Sequence, residues 1–391
     1  MAIEGRGDKQ AGGRIRLGMV GGGEGAFIGA VHRIAARLDD HYTLVAGALS
    51  STPEKAARSG LALGLARART YGGYAEMAAA EAGRPDGIEA VAIVTPNHLH
   101  APVATAFLKA GIHVICDKPL TTSLKDARAL QKTVLSSGRI FALTHNYTGY
   151  PMVRHARQMV AEGKLGALRV VQVEYPQDWL SEPLERTGQK QAAWRTDPKL
   201  SGGGAVGDIG SHAHNLAGFV SGLEVEALLA DVDSFVKGRK VDDNINVLLR
   251  YRGGAKGMLW ASQVAPGNEN NLKLRLYGSK GGLEWHQEHP NQLFWSPLGQ
   301  PMQTLSRGTG AANAAAARVT RVPPGHPEGY LEGFATLYAE VAAAIRAARH
   351  GKRPDKAVTF PGIAEGVAGV AFIEAVLKSG AKGGAWVKPG H

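Results

Sequence analysis

Short apolar runs alternate with helical patterns over residues 15–145 of the chain. Runs bounded by glycine or polar residues are typical of buried strands, whereas apolar positions spaced three or four residues apart predict helices. Strands are predicted at 15–20, 42–49, 90–94, 113–116 and 140–144, with helices at 30–38, 53–60, 74–82, 104–110 and 123–137. This alternation predicts an α/β fold with a parallel, doubly wound sheet.

The pattern changes after residue 146, where strand-like runs follow one another with little helix between them. Strands are predicted at 168–175, 225–232, 245–251, 258–264 and 272–277, and helices at 152–161, 207–220, 330–349 and 363–378. The strand at 272–277 alternates strictly, as expected where one face of an antiparallel sheet meets solvent. We therefore expect a second, α+β domain with an open, mostly antiparallel sheet, and a surface loop or short helix at 311–317.

Composition supports a globular protein, with 44% hydrophobic and 20% charged residues. The formal charge of +11 is spread along the chain, and no zinc-finger, RNP or basic-aromatic pattern indicates nucleic acid as a partner. Cys116 is the only cysteine, which excludes an intrachain disulfide and a Cys-based zinc site. The first residues do not resemble a signal peptide and no apolar run reaches membrane-spanning length, so a cytoplasmic protein without membrane contact is expected.

Glycines follow the first predicted strand. A dinucleotide site needs glycines there, because backbone N–H groups must approach the pyrophosphate at a helix N-terminus. Gly21 and Gly23 fit the usual spacing, but the next suitable glycine is Gly29, so the loop is longer than the standard fingerprint. The pattern indicates a cofactor site that includes Phe27 and Ile28; a plain glycine-rich turn is the alternative.

A second polar motif follows the strand predicted at 90–94. Ligands of open α/β sheets bind beyond the carboxyl ends of the strands, so we expect Thr95, Pro96, Asn97 and His100 to contact the cofactor. A helix-capping turn is the alternative. His98 and His100 have the spacing of a metal-binding pair, but no third or fourth ligand is arranged nearby, and no metal is expected.

Lys118 follows the next predicted strand, between Asp117 and Pro119. An ammonium group held beside the same crevice can polarise a carbonyl group or stabilise an alkoxide, although a solvated surface lysine is the commoner case. Farther along, Asp208 and His212 are four residues apart, so a helix that begins near residue 207 would place them on one face. A carboxylate in that position can orient the imidazole and raise its basicity; a capping aspartate and a packed core histidine are the alternative.

In this order the motifs resemble the Gfo/Idh/MocA family, named after glucose–fructose oxidoreductase and inositol dehydrogenase. The resemblance runs from about residue 15 to residue 387 and includes His32 after the glycine-rich turn, Trp194-Arg195, and the segments 202–212, 241–244 and 277–281. It implies a Rossmann domain at 15–145 that binds NAD or NADP. It also implies a substrate-binding and oligomerisation domain at 146–391, after a disordered tail at 1–14, and leaves open whether the C-terminal helices pack back on the first domain.

The family relationship implies hydride transfer at a carbinol carbon of a sugar, cyclitol or glycoside. His212 would take the hydroxyl proton, Lys118 would stabilise the oxyanion, and Asp208 would orient the substrate or His212. The acid before the lysine is Asp117, where the family has glutamate, and the bond to Pro119 is often cis in the family. Further substrate contacts are expected from Tyr147, Arg154, Trp194, Arg195 and His326.

Several points stay open at this level. The second strand ends at Ser50 without the acid that usually binds the adenosine 2′-hydroxyl, so the residues permit NADP, while NAD is slightly favoured by the family. The same hydride transfer could serve epimerisation or NAD-dependent glycosidic cleavage, or the chain could be a catalytically silent NAD-binding regulator. An open sheet face predicts a homodimer or homotetramer.

Overall fold

The computed structural model describes residues 13–390, so the predicted tail at 1–14 lies outside the described residues except for Gly13 and Arg14. The strands are β1 Ile15–Gly21, β2 Tyr42–Ala48, β3 Ala90–Val94, β4 His113–Cys116, β5 Phe141–Leu143, β6 Leu168–Pro176, β7 Val225–Asp233, β8 Asn244–Tyr251, β9 Lys256–Ser262, β10 Lys273–Gly278, β11 Gly281–His286, β12 Gln292–Pro297 and β13 Gln303–Ser306. The α-helices are α1 Phe27–Leu38, α2 Pro53–Ala62, α3 Tyr74–Ala82, α4 His100–Lys109, α5 Leu124–Ser137, α6 Pro151–Ala161, α7 Lys190–Arg195, α8 Pro198–Ser201, α9 Ser211–Ser221, α10 Ala314–Val319, α11 Tyr330–Arg349 and α12 Ile363–Gly380. None of the helices within residues 13–390 is long and apolar enough to cross a lipid bilayer.

The chain forms two compact units. The first combines the described residues up to Thr121 with Lys125–Asn146 and Tyr330–Gly366, and the second contains Tyr147–Gly329 and the residues from Val367 onward, together with the short stretch Thr122–Leu124. The sequence-based division gave all residues after 145 to the second domain, whereas the structure assigns α11 to the first unit. The reason is that α11 packs against α1 and buries its apolar side chains in the core of the first unit.

A parallel sheet with the order β2-β1-β3-β4-β5 forms the centre of the first unit, which confirms the predicted doubly wound fold. Thr70 adds an isolated parallel bridge to Gly47 on the outer side of β2. The order in which the chain adds strands to the sheet reverses between β1 and β3, where Gly21 lies beside Val94 in the register. Ligands of such sheets bind at this switch point, outside the carboxyl ends of the strands.

Helix α11 is fixed to the first sheet by aromatic and polar contacts. Tyr338 of α11 accepts a hydrogen bond at its carbonyl from the hydroxyl of Tyr42 at 2.9 Å, and its own hydroxyl lies 2.9 Å from Nδ1 of His32. The ring of His32 also lies 5.1 Å from that of Phe334. His32, which the sequence singled out only through the family resemblance, is therefore a fully buried link between α1 and α11.

The second unit contains an eight-stranded sheet with the order β13-β12-β11-β10-β6-β9-β8-β7. All neighbours are antiparallel except β6 and β9, so the expected open, mostly antiparallel sheet is confirmed. Strands β11, β12 and β13 were not predicted, because they are short strands that mix glycine, polar and half-exposed residues. Helices α6 and α9 cover one face of this sheet.

His113 provides a test of stability against pH in the first unit. Its side chain is buried, Nδ1 accepts a hydrogen bond from the Ile140 N–H at 2.8 Å, and burial lowers its pKa from 6.5 to about 4. The unfolded chain binds the proton near pH 6.5, so the stability that His113 contributes is complete above that pH and is lost as the pH falls towards 4. A pKa that is lower by about two units in the folded state corresponds to about 3 kcal/mol in the free energy of unfolding.

Urea unfolding at pH 7 and pH 4.5 measures this loss. In the variant His113→Asn, whose amide oxygen can still accept from Ile140, the difference between the two pH values should shrink by about 2 kcal/mol. An identical pH dependence in the variant and the parent chain would contradict the assignment.

Candidate functional site

The glycine-rich turn after β1 is built for close backbone contact. Gly21 and Gly22 have φ values of 78° and 72°, which glycine adopts without strain. A Cβ atom on Gly21 would lie 2.7 Å from the carbonyl oxygen of Val94, and one on Gly29 would lie 2.5 Å from that of Gly22. Gly29 therefore permits the close approach of helix and strand that the last glycine of the fingerprint provides, even though the loop before it is longer.

Helix α1 begins directly after this turn. No side chain caps its N-terminus at Ala26, its first turn contains no acid, and Arg33 donates to the Gly22 carbonyl at 2.7 Å. The N–H groups and dipole of such a helix end favour an anion, and the glycines leave room for one. The predicted cofactor residues Phe27 and Ile28 form this first turn, so this part of the unit fits a pyrophosphate-bearing dinucleotide.

The residues of the motif predicted after β3 differ in how exposed they are. Thr95 and Pro96 are partly exposed, and Asn97 is buried in the short turn before α4. His100 is fully buried, and its two ring nitrogens lie 2.8 Å from the Pro119 carbonyl and 2.9 Å from the Thr95 carbonyl. His100 therefore links the loops after β3 and β4 to each other, and its contact with a cofactor stays a prediction.

Lys118 lies at the carboxyl end of β4 in a backbone that its neighbours fix. The Lys118–Pro119 bond is cis, as the family resemblance implied. Oδ1 of Asp117 accepts hydrogen bonds from the Lys118 N–H at 3.0 Å and from the Thr144 hydroxyl at 2.8 Å. The shorter acid therefore keeps a clear role, because it orients the peptide group of Lys118.

In the second unit, Asp208 lies on a π-helical turn formed by Val206–Gly210, and the regular helix α9 begins only at Ser211. A regular helix from residue 207 had been predicted. Hydrogen bonds in a π turn close after five residues instead of four, so Asp208 lies in a wider turn than the predicted α-helix would form. The two oxygens of Asp242 accept from the N–H groups of Gly204 at 2.8 Å and Val206 at 2.7 Å, and so fix the start of the turn.

The carboxylate of Asp208 has two partners that the helix hypothesis did not include. Oδ2 accepts a hydrogen bond from Gln263 at 2.9 Å and lies 3.4 Å from Nε of Arg195. The guanidinium group of Arg195 lies over the Trp194 ring at 4.3 Å. The structure thus brings the predicted Trp194, Arg195 and Asp208 together and adds Gln263, which the sequence analysis missed.

His212 lies in the first turn of α9 and is 7% exposed. Its ring packs edge-on against that of Tyr147, with 4.9 Å between the ring centres, and lies 6.3 Å from that of Tyr175. Tyr147 is buried, and burial raises the pKa of its phenol. Two of the predicted site residues, His212 and Tyr147, are therefore in contact. Tyr175 is a further neighbour that the sequence analysis did not select.

The pairing of β6 with β9 is the feature that could have revealed the site residues that the sequence analysis missed. Strands β6 and β9 are the parallel pair of the second sheet, with Pro176 opposite Ser262 in the register. The carboxyl ends of parallel neighbours lie at the same edge, so Gln177 and Gln263 emerge side by side. The sequence predicted a mostly antiparallel sheet but not which strands pair in parallel, so the contact of β6 with β9 was not foreseen.

Two further residues that are predicted to contact the substrate are Arg154 and His326. Arg154 is 3% exposed and donates from Nε to the Thr148 carbonyl at 3.1 Å, so it holds the turn before α6. The imidazole of His326 is exposed in a loop whose carbonyl groups accept hydrogen bonds from the buried Arg307. Among residues 13–390, no group of three or more His, Cys, Asp and Glu residues is placed to bind a metal ion.

Both units match family models. Residues 15–145 match a model described as an oxidoreductase family with an NAD-binding Rossmann fold. Residues 153–284 match a model described as the GFO/IDH/MocA C-terminal domain. These matches cover the glycine-rich turn and Lys118 in the first unit, and Asp208 and His212 in the second.

Full-length relatives agree with both matches. The uncharacterized oxidoreductase YfiI of Bacillus subtilis is 34% identical, and the alignment covers 96% of each chain. The crystal structure of an oxidoreductase from Sinorhizobium meliloti is 57% identical, with a TM-score of 0.89 over 96% of this chain and 100% of that chain. An inositol dehydrogenase homolog from Azotobacter vinelandii, solved with NADH and myo-inositol, is 38% identical, with a TM-score of 0.90 over 96% of this chain and 98% of that chain.

Proposed function

Because this chain belongs to the GFO/IDH/MocA family of NAD-binding oxidoreductases, we propose that it transfers a hydride between a nicotinamide cofactor and a carbinol carbon of a sugar or cyclitol. The observation that carries the proposal is the carboxylate of Asp208, which Gln263 and Arg195 hold on the turn that leads into the helix of the buried His212. Such a group suits a small polyhydroxylated substrate. The A. vinelandii homolog was solved with myo-inositol, which supports a cyclitol or a related polyol.

The first unit would hold the cofactor. The N–H groups at Phe27 and Ile28 and the glycines of the turn would bind the pyrophosphate, and Thr95, Pro96 and Asn97 border the switch point of the sheet. When bound, the nicotinamide supplies the hydride acceptor or donor. We place the protein in the cytoplasm with a small-molecule substrate as its partner.

Three side chains of this chain would handle the charges and protons of the reaction. His212 removes the proton from the substrate hydroxyl group during oxidation. The ammonium group of Lys118 stabilises the negative charge that develops on that oxygen, in a peptide that Asp117 orients. Asp208, which lies beside Arg195, orients the substrate or His212.

Removing either proposed catalytic group should reduce turnover strongly. General acid–base groups contribute factors of about 10²–10⁴, so Lys118→Ala and His212→Ala should each lower kcat about a hundredfold or more. Cofactor affinity, measured by quenching of protein fluorescence, should change little. Turnover is followed by absorbance of the reduced cofactor with a panel of cyclitols, sugars and glycosides.

The matched control is Lys125→Ala, which removes an exposed lysine and should leave kcat unchanged. The double variant Lys118→Ala/His212→Ala should lose less than the product of the single losses, because groups that act as a unit are not additive. Near-normal turnover of His212→Ala would refute its assignment as the base.

We further propose self-association through the uncovered face of the second sheet. Leu248, Met258 and Tyr277 lie on this face and are 46%, 44% and 42% exposed, which is unusual for large apolar side chains on neighbouring strands. Exposed apolar patches of this kind mark interaction sites, and closed symmetric dimers or tetramers are the commonest assemblies. A second copy of the chain is the occupant that we propose.

Light scattering at micromolar concentration should therefore give a dimer or tetramer. Met258→Glu places a charge in the proposed interface and should shift the population towards the monomer. Leu61→Glu, at a position 80% exposed on α2 of the first unit, is the matched control and should not alter the assembly. A monomeric parent chain would overturn the proposal.

Cofactor choice follows from the end of β2. Residues 47–52 contain no acid, so neither a 2′-hydroxyl nor a 2′-phosphate is strongly selected there, and we favour NAD by a small margin. NAD and NADP should bind within about tenfold of each other, which is about 1.4 kcal/mol. Ser50→Asp should favour NAD over NADP by a further tenfold or so, since a carboxylate binds the diol and repels the phosphate.

Fluorescence titration with each reduced cofactor measures both affinities. Ser136→Asp, an exposed change on α5, is the control and should keep the ratio of the parent chain. A preference of about a hundredfold in the parent, for either cofactor, would contradict this expectation.

A further inference from the structure

Three polar side chains of the second unit close a ring of hydrogen bonds beside His212. The hydroxyl groups of Tyr147 and Tyr175 are in direct hydrogen-bond contact. Tyr175 also contacts Oδ1 of Asn270 at 2.7 Å, and Nδ2 of Asn270 contacts the Tyr147 hydroxyl at 3.3 Å. Each phenol therefore touches both other members of the ring.

A tryptophan outside the ring sets the direction of every hydrogen bond in it. The indole Nε1–H of Trp179 can only donate, so the atom of Gln177 that faces it at 3.1 Å is the amide oxygen. The NH₂ group of Gln177 then faces Asn270 at 2.7 Å, and the atom of Asn270 that receives it is Oδ1. The orientation of both amides follows from one donor.

The positions of the two phenolic protons follow by elimination. Oδ1 of Asn270 only accepts, so Tyr175 donates its single proton to it. Tyr147 must then donate its own proton to Tyr175, while its oxygen accepts from Nδ2 of Asn270. We call these five residues the amide–phenol chain: Trp179, Gln177, Asn270, Tyr175 and Tyr147.

We infer that Tyr147 is a positioning residue whose hydroxyl direction and ring are fixed by the amide–phenol chain. The inference rests on the proposed function, since the ring that Tyr147 contacts edge-on at 4.9 Å is that of the proposed base, His212. The Tyr147 proton is committed to Tyr175 within a closed ring of donors and acceptors, so the phenol does not serve as an acid or base. Its task is to hold one face of the imidazole.

A nearly isosteric substitution can reverse the direction of the hydrogen bonds in the amide–phenol chain. In Gln177→Glu, the carboxylate accepts from Trp179 and can only accept from Asn270, so the Asn270 amide must turn its NH₂ group towards position 177. Tyr147 then donates to the Asn270 oxygen, and Tyr175 donates to Tyr147. Gln131→Glu, the same substitution at a partly exposed position of α5 in the first unit, is the matched control.

The first readout is kinetic. Tyr147→Phe should retain kcat within about tenfold of the parent, because acid–base groups contribute about 10²–10⁴ and positioning contributes less. Gln177→Glu should lower kcat by about fivefold or more with a smaller change in KM, whereas Gln131→Glu should leave both unchanged. A loss of kcat in Tyr147→Phe as large as that in His212→Ala would overturn the inference.

The second readout is a double-mutant cycle. Once the Tyr147 hydroxyl is absent, the direction of the hydrogen bonds in the amide–phenol chain no longer affects the aromatic ring at position 147. Gln177→Glu should therefore have a much smaller effect in the Tyr147→Phe background than in the parent. Equal effects in both backgrounds would refute the directional coupling.

The same cycle, run on the midpoint of urea unfolding, needs neither substrate nor cofactor. Non-additive midpoints for Gln177→Glu and Tyr147→Phe are expected, and additive midpoints would refute the coupling. If no polyol is turned over by the parent chain, the proposed function fails, while the unfolding cycle still decides the inference about the amide–phenol chain.

Discussion

The arrangement of the second unit depends on one buried carboxylate. Asp242 is 6% exposed and receives two backbone N–H groups from the segment that leads into the π-helical turn of Asp208, and its own carbonyl accepts from Ala205. Burial raises the pKa of Asp242, so its charge in this position is costly, and the backbone donors offset that cost. Gly204 is required there, because a Cβ atom would collide with the carbonyl group of Asp242. These contacts fix the irregular turn, which places Asp208 beside Gln263 and Arg195.

Much of the first unit could be predicted from the sequence, since its strands are continuous apolar runs that end at glycine or polar residues. Strands β3 and β4 were predicted with the bounds that the structure gives them, and β1 within one residue. The same reasoning did not foresee that both ring nitrogens of His100 face carbonyl groups of neighbouring loops, because a polar residue after a strand can serve a ligand or a neighbouring loop.

In the second unit, the candidate site could be found only in part. Asp208, His212, Trp194 and Arg195 carry recognisable chemistry in short motifs, whereas Gln263, Tyr175 and Asn270 are single polar residues in separate segments. Tyr175 and Asn270 meet where β6 pairs with β10, and Gln263 follows β9, the parallel neighbour of β6; no local pattern encodes these non-local pairings. The π-helical turn was missed for a similar reason, because the contacts that fix its start come from the carboxylate of a residue more than thirty positions away.

The placement of α11 has a consequence for the order of synthesis. The first sheet is complete once β5 has been made, but the helix that covers Tyr42 and His32 follows almost two hundred residues later. While residues 147–329 leave the ribosome, a growing chain therefore carries a nucleotide-binding half whose apolar surface is uncovered. Such long-range closure slows folding and leaves that surface open to chaperones or to misassembly in the meantime. The discontinuous layout delays the final packing of the cofactor-binding half until most of the second unit has been made.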